Sequence, residues 1–192
     1  MPRAGLSEAV VVAEAERVAD EMGLAQLTMA AVAERLGVRQ PSLYKHVENM
    51  EDLKRSLALR AKRQLADILG RAAVGRAREA AVFSIAHAYR VFAHEHPGRY
   101  AAAQRAPVPG DVDDEGASQE VTQVVFDVLA GYELRDDAAV DATRALRAAL
   151  HGFVTLEATG GFGLPVDIDR SFERVVGALT RALDDWPRPD LA

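Results

Sequence analysis

The stretch whose reading decides the fold covers residues 28–47, T-M-A-A-V-A-E-R-L-G-V-R-Q-P-S-L-Y-K-H-V. Thr28 is suited to cap a helix of about two turns over 29–36, with Val32, Ala33 and Leu36 on one face. Gly37 closes it, because glycine takes the left-handed conformation that a sharp turn needs. Pro41 then suits the first position of a third short helix, 41–46, where its missing N–H would have had no partner. Two short helices joined by a glycine-containing turn of about three residues make a helix-turn-helix. Ala33 is small where the two helices cross, and Val32, Leu36, Val38, Leu43 and Val47 converge as a small core. Gln40, Ser42, Tyr44, Lys45 and His46 are left facing outward, all with side chains that form hydrogen bonds. A DNA major groove can use such a face: Gln pairs with adenine edges, Ser donates or accepts, and Tyr, Lys and His reach phosphates. The same geometry also fits a plain helical hairpin with a solvated polar face.

Upstream, Ser7 can cap a helix over 7–22 whose Val11, Ala15, Val18 and Met22 recur at helical spacing up to Gly23. Downstream, Asn49 can cap a helix with Glu51 and Asp52 in its first turn, running through Leu53, Leu57, Ala61, Leu65, Ile68 and Leu69 to Gly70. It is long enough to link two domains. A broad apolar pattern over 76–96 predicts a fifth helix, broken by Pro97 and Gly98, and a short helical piece follows over 100–105. Two prolines, two glycines and an acidic run make 107–116 read as a surface loop. Helical patterns over 118–129, 137–158 and 169–185 complete an all-α chain of about nine helices, with a non-helical turn at 160–165.

The whole chain has 192 residues, 49% apolar and 27% charged, about one Ala in five, no cysteine and a net charge of −6. Alanine richness favours helix. Without cysteine there is no disulfide framework, thiolate metal site or cysteine nucleophile. The acidity argues at first against a nucleic-acid partner. Residues 1–65, however, hold ten Lys and Arg against nine Asp and Glu, and the remainder thirteen against twenty. The acidity lies outside the helix-turn-helix region. With an N-terminus that lacks a signal-peptide core and no window of about 18 uncharged apolar residues, the expected location is the cytoplasm, with no membrane partner.

The run L-G-V-R-Q-P-S-L-Y-K-H-V-E-N (36–49), between a leading helix and a long linking helix, resembles the DNA-binding domain of TetR-family transcriptional regulators. The resemblance implies a DNA-binding domain over 1–66 and a ligand-binding and dimerisation domain over 67–192. It implies that Gln40, Pro41, Ser42 and Lys45 face base edges, that Thr28, Tyr44 and His46 hold phosphates, and that Arg39 flanks them. Met50 stands where the family usually has lysine, so a phosphate there would have to be met by backbone N–H groups. Ala30 stands where a base-reading arginine can occur in the family, so no operator sequence carries over. Arg3 could reach DNA from an N-terminal arm. The stretch A-L-H-G-F-V-T-L-E-A-T-G-G-F (149–162) resembles a subgroup of the same family with a His-Gly signature.

The family implies a cavity for a small-molecule effector, and the candidates to line it are Phe83, His87, Phe92, Tyr100, Gln104, Phe126 and His151. It also implies homodimers that pair the last two helices. The stripes containing Leu146, Leu150, Phe153, Phe172, Val176 and Leu179 are the expected contact, which calls for a palindromic operator. Residue by residue, plain core is the commoner role for each aromatic. His87 and His151 could in principle ligate a metal, but a histidine satisfied by a backbone carbonyl is commoner, so no metal and no cofactor is expected. His94 and His96 point to different sides of a helix and do not form a metal pair. No phosphate loop, nucleophile elbow or zinc motif appears, so the reading is a regulator and not an enzyme. The competing reading is a helical small-molecule-binding or interaction module that no longer contacts DNA.

Overall fold

The computed structural model describes residues 5–187, and Arg3 lies outside them. Among the described residues there are eight α-helices, two 3-10 segments and no strand: α1 Glu8–Met22, a 3-10 turn Leu24–Gln26, α2 Met29–Leu36, a 3-10 turn Gln40–Lys45, α3 Met50–Ala73, α4 Arg78–Glu95, α5 Pro97–Ala103, α6 Val112–Ala130, α7 Asp136–Ala158 and α8 Ile168–Asp184. Each of the nine expected segments is helical, and Leu24–Gln26 adds a tenth. The chain divides into two compact units, one of residues up to 64 with 95–118, the other of 65–94 with the residues from 119 on. α3 and α6 each contribute to both.

In the first unit, Ser7 caps α1 by accepting the Val10 N–H, and Gly23 ends it at φ 89°. Val11, Ala15, Val18 and Ala19 of α1 are buried with Val32 and Ala33 of α2, Leu43, Val47, and Leu53, Leu57 and Ala61 of α3. α5 begins at Pro97, so the proline that stops α4 also opens the next helix. α5 lies so close to α1 that a Cβ added at Gly98 would stand 2.1 Å from the Ala19 carbonyl carbon. Only glycine allows that approach.

The stretch at 107–116 is non-helical, as expected of a loop, as far as Asp111, and helical beyond it. Asp111 accepts the Asp114 N–H through its side chain at 3.2 Å, and α6 starts at Val112, so the acidic residues form its first turn. Carboxylates there complement the positive end of the helix dipole. Arg55 of α3 grips Asp111, whose carboxyl it holds down to about 2. Asp114 is buried against Lys62 of α3 at 2.5 Å, and Lys62 also donates to Ser118 Oγ at 2.9 Å. Burial works against the Asp114 carboxylate, but the bonds from Lys62 and the Val108 N–H outweigh it and leave its pKa lowered. Composition marks the whole segment as loop; its second half is helix, tied by an ion pair to a residue 52 positions earlier.

In the second unit, α3 runs past Gly70 to Ala73, because Gly70 sits mid-helix with Val124 of α6 beside it. Val82, Ile85, Ala86, Tyr89 and Phe92 of α4 are buried, as are Leu129 and Tyr132, the inner faces of α7 (Ala142, Leu146, Leu150, Phe153) and α8 (Phe172, Val176, Leu183).

Two variants test this account by thermal unfolding followed by circular dichroism. Gly98→Ala should destabilise by about 1–3 kcal/mol, since α5 must move off α1. Asp114→Ala, which strands a buried ammonium, should cost about 3–5 kcal/mol, and the double variant Lys62→Met, Asp114→Leu should recover most of that loss.

Candidate nucleic-acid interface

α2 starts where Thr28, in extended conformation, accepts the Ala31 N–H through Oγ1 at 3.1 Å. It stops at Gly37, left-handed at φ 65° and ψ 31°, with the Gly37 N–H on the Glu34 carbonyl and the Val38 N–H on the Ala33 carbonyl. This pattern closes a helix and turns the chain. The next segment is a 3-10 turn over Gln40–Lys45 and not the α-helix expected at 41–46. Pro41 is the second of its six residues, and short connecting pieces of this kind commonly take the tighter helix. Leu43 is fully buried and Val47 nearly so, in the core shared with Val32, while Leu36 and Val38 pack beside them. All five residues expected in the small core are there.

With those apolar side chains inward, Arg39, Gln40, Pro41, Tyr44 and Lys45 are exposed, and Ser42 and His46 are half-buried. Thr28 is exposed at the start of α2. Gln40 Nε2 donates to the Tyr44 hydroxyl oxygen at 3.2 Å. The structure therefore brings the eight sequence-predicted DNA-facing residues to the helix-turn-helix, seven of them within the single stretch 39–46. Met50 is half-buried and packs against the core, so it presents no charge. Asn49 caps α3 by accepting the Asp52 N–H at 3.0 Å, and the Asp52 carboxylate accepts the Glu48 N–H at 2.9 Å.

Electrostatics sort the cations of the first unit. Arg35 donates to both Glu21 oxygens, at 2.5 and 2.9 Å, and to Glu14 at 3.2 Å, which fastens α2 to α1. The bond to Glu21 raises the Arg35 pKa and lowers that of Glu21. Arg17 pairs with Glu14 and Arg60 with Glu16, while Lys54, Arg55 and Lys62 are held by Glu51, Asp111 and Asp114. Arg39 and Lys45 have no ion pair among the described residues and flank the exposed turn. Sequence reasoning did not find these partners, because each joins residues remote in the chain except for the pairs Arg17–Glu14 and Lys54–Glu51.

Against this geometry the comparisons with known proteins are direct. A profile described as "Bacterial regulatory proteins, tetR family" matches residues 11–57, and one described as "Tetracyclin repressor-like, C-terminal domain" matches residues 82–179. The chain belongs to the TetR family. It is 40% identical to the HTH-type transcriptional regulator Rv0681 of Mycobacterium tuberculosis over 183 residues, which is 94% of this chain and 83% of that protein. It is 36% identical to the HTH-type transcriptional regulator YobS of Bacillus subtilis, with 87% of each covered. Its fold is similar to a crystal structure of a TetR variant from Acinetobacter baumannii AYE in complex with minocycline, at TM-score 0.71 and 23% identity, covering 96% of this chain and all of that one. This TetR-family chain is thus a helix-turn-helix transcriptional regulator, and its family is one of regulators and not of enzymes.

The candidate effector residues fall into both units: Tyr100 and Gln104 in the first, Phe83, His87, Phe92, Phe126 and His151 in the second. Tyr100 and Phe92 are buried, and the other five are half-buried. His87 bonds Glu173 of α8 at 2.7 Å and stands edge-on to the Phe172 ring at 5.3 Å. Arg90, absent from the sequence reading, lies over Phe172 at 4.8 Å while bonding Glu157 at 2.9 Å. Its bond lowers the Glu157 pKa, and His94 adds a second one at 2.8 Å. His96 instead faces Asp20 of the first unit at 3.5 Å, so the two histidines have separate partners.

Most of the expected dimer stripe is enclosed within a single chain. Leu146, Leu150, Phe153, Phe172 and Val176 are all at most 8% exposed in a single chain. A side chain already enclosed by its own protomer has little surface to give a partner. Leu179 is half-buried. The apolar surface that α7 and α8 leave accessible is one step around each helix: Ala145, Ala149, Gly152 and Leu156 on α7, and Val175, Ala178, Leu179 and Ala182 on α8. Periodicity gave one apolar stripe on each helix, and burial sends most of its bulkier side chains to the core.

Gly37→Ala should destabilise the chain by about 1 kcal/mol, because a Cβ is strained at that φ, and Gly37→Asn should lose less. Thermal denaturation of the two variants beside the parent chain checks this.

Proposed function

We propose that this regulator acts in the cytoplasm as a homodimer on a palindromic operator and is released from it by a small-molecule effector, which makes it a repressor. The observation that carries the DNA-facing assignment is the sorting of cations. Arg17, Arg35, Arg60 and Lys62 meet carboxylates, whereas Arg39 and Lys45 make no ion pair among the described residues and sit on the exposed turn with Gln40, Pro41, Ser42, Tyr44 and His46. Lys45, Gln40, Pro41 and Ser42 meet base edges; Thr28, Tyr44, His46 and Arg39 meet phosphates. With Met50 packed inward, a phosphate at the start of α3 is held by backbone N–H groups. Residues 1–66 serve DNA, and residues 67–192 serve the effector and the partner.

The dimer pairs the accessible face of α7 and α8 with its twofold copy. Small residues along α7 let two helices approach closely, and Leu156 and Leu179 supply apolar area. A twofold dimer sets two recognition turns about one helical repeat of DNA, or a multiple, apart. The effector shifts the balance between DNA-competent and DNA-incompetent states by its differential affinity for the two. Phe83, His87, Phe92, Phe126 and His151 in the second unit, with Tyr100 and Gln104 in the first, are the residues to probe for it, and the minocycline complex of the A. baumannii protein supports a small organic molecule as the class.

A gel-shift titration of the full chain on DNA flanking its own gene tests the reading. Wild type should bind a palindrome with an affinity that falls steeply with salt. Lys45→Ala should weaken it about tenfold and relax the base preference, and Arg39→Ala should lower the salt slope by about one per chain. Failure of the wild-type chain to bind any palindrome at low salt would sink the proposal.

A further inference from the structure

Gln40 and Tyr44 are both exposed, yet their side chains bond to each other: Gln40 Nε2 donates to the Tyr44 hydroxyl oxygen at 3.2 Å. No burial forces this contact. A glutamine amide has one acceptor oxygen and two N–H donors. With one N–H given to Tyr44, the second N–H and Oε1 remain, side by side in the amide plane. Adenine takes that pair on its major-groove edge, where N7 accepts and the N6 amino group donates. Guanine offers two acceptors, N7 and O6, and would set one of them against Oε1.

The hydroxyl of Tyr44 does a second thing in the same arrangement. Its oxygen accepts from Gln40, which leaves its own O–H as a donor toward a phosphate oxygen. A glutamine without such a tether must freeze three side-chain torsions when it meets a base. Turned half-way around its last torsion, the amide would place Oε1 on the Tyr44 hydroxyl and both N–H groups outward, which is the match for guanine. In the orientation seen here, with Nε2 donating and the Tyr44 O–H left for a phosphate, the bond presents the amide edge that reads adenine. Pro41 contributes by holding the backbone of the turn from its first residues.

We propose that Tyr44 is a positioning residue that sets the base preference of Gln40 to adenine, apart from any phosphate contact of its own. The proposal rests on the DNA-binding reading above, and its test separates the two. The full chain, Tyr44→Phe, Gln40→Ala and the double variant are each used to select duplexes from a library with a randomised central segment. Affinities are then measured on the selected duplex and on its three single-base alternatives at the position that Gln40→Ala makes indifferent.

The wild-type chain should prefer adenine there by about tenfold or more. Tyr44→Phe should bring the preference to about threefold or less while leaving the other positions of the site unchanged, and the double variant should be no more indifferent there than Gln40→Ala. Thermal unfolding of all four should coincide, since both side chains are exposed. A Tyr44→Phe chain that weakens on every duplex by one common factor and keeps its adenine preference has lost only a phosphate contact, and overturns the proposal. A wild-type preference for guanine at that position also overturns it. Selection of no sequence by the wild-type chain would overturn the DNA-binding reading itself, and this inference with it.

Discussion

Leu43 and Val47 anchor a turn that could not hold itself. Six residues in 3-10 conformation make few internal hydrogen bonds of poor geometry, and no such segment is stable alone in water. Burying each of the two side chains against Val32, Val11 and the start of α3 contributes on the order of 2 kcal/mol. That contact sets which way the turn faces. Once Leu43 points inward, Gln40, Tyr44 and Lys45 have nowhere to go but outward. The small side chains of α1 and α2, Ala15, Ala19 and Ala33, let the helices come close enough to enclose it.

Charge works on the same scaffold in a second way. α1 carries buried carboxylates at Glu14 and Glu16 and a nearly buried one at Asp20. They draw in Arg35 from α2, Arg60 from α3 and Arg99 from α5. Bonds of this kind to partly exposed groups add modestly to stability, but they fix helix positions and take cations out of circulation. Arg39 and Lys45, which make no ion pair among the described residues, are left on the exposed turn of a domain with almost no excess positive charge. The net charge of the chain is uninformative for that reason: it does not say where such cations are placed.

Much of the fold was legible because it is written in local chemistry. Ser7, Thr28 and Asn49 cap helices through their own side chains, and Gly23 and Gly37 end them in backbone conformations other residues avoid. Helical spacing of apolar residues found every major helix. The misreadings share one cause. Residues 112–116 look like part of a loop until Lys62 and Arg55 reach across from α3, and Gly70 looks like a stop until α6 is seen beside it. Which side of the apolar stripe on α7 and α8 is left accessible likewise turns on which face the rest of the unit covers.

The amino-acid sequence by itself determined the all-α fold, the place of the helix-turn-helix and the identity of its outward residues, since caps, turns and periodicity act over a few positions. Only the tertiary structure decided which cations are neutralised, that Leu146, Phe153, Phe172 and Val176 are interior, that the third helix is a 3-10 turn, and that Gln40 is bonded to Tyr44. Those outcomes depend on distances and packing between groups, and most of the groups are far apart along the chain. No reading of local pattern contains them.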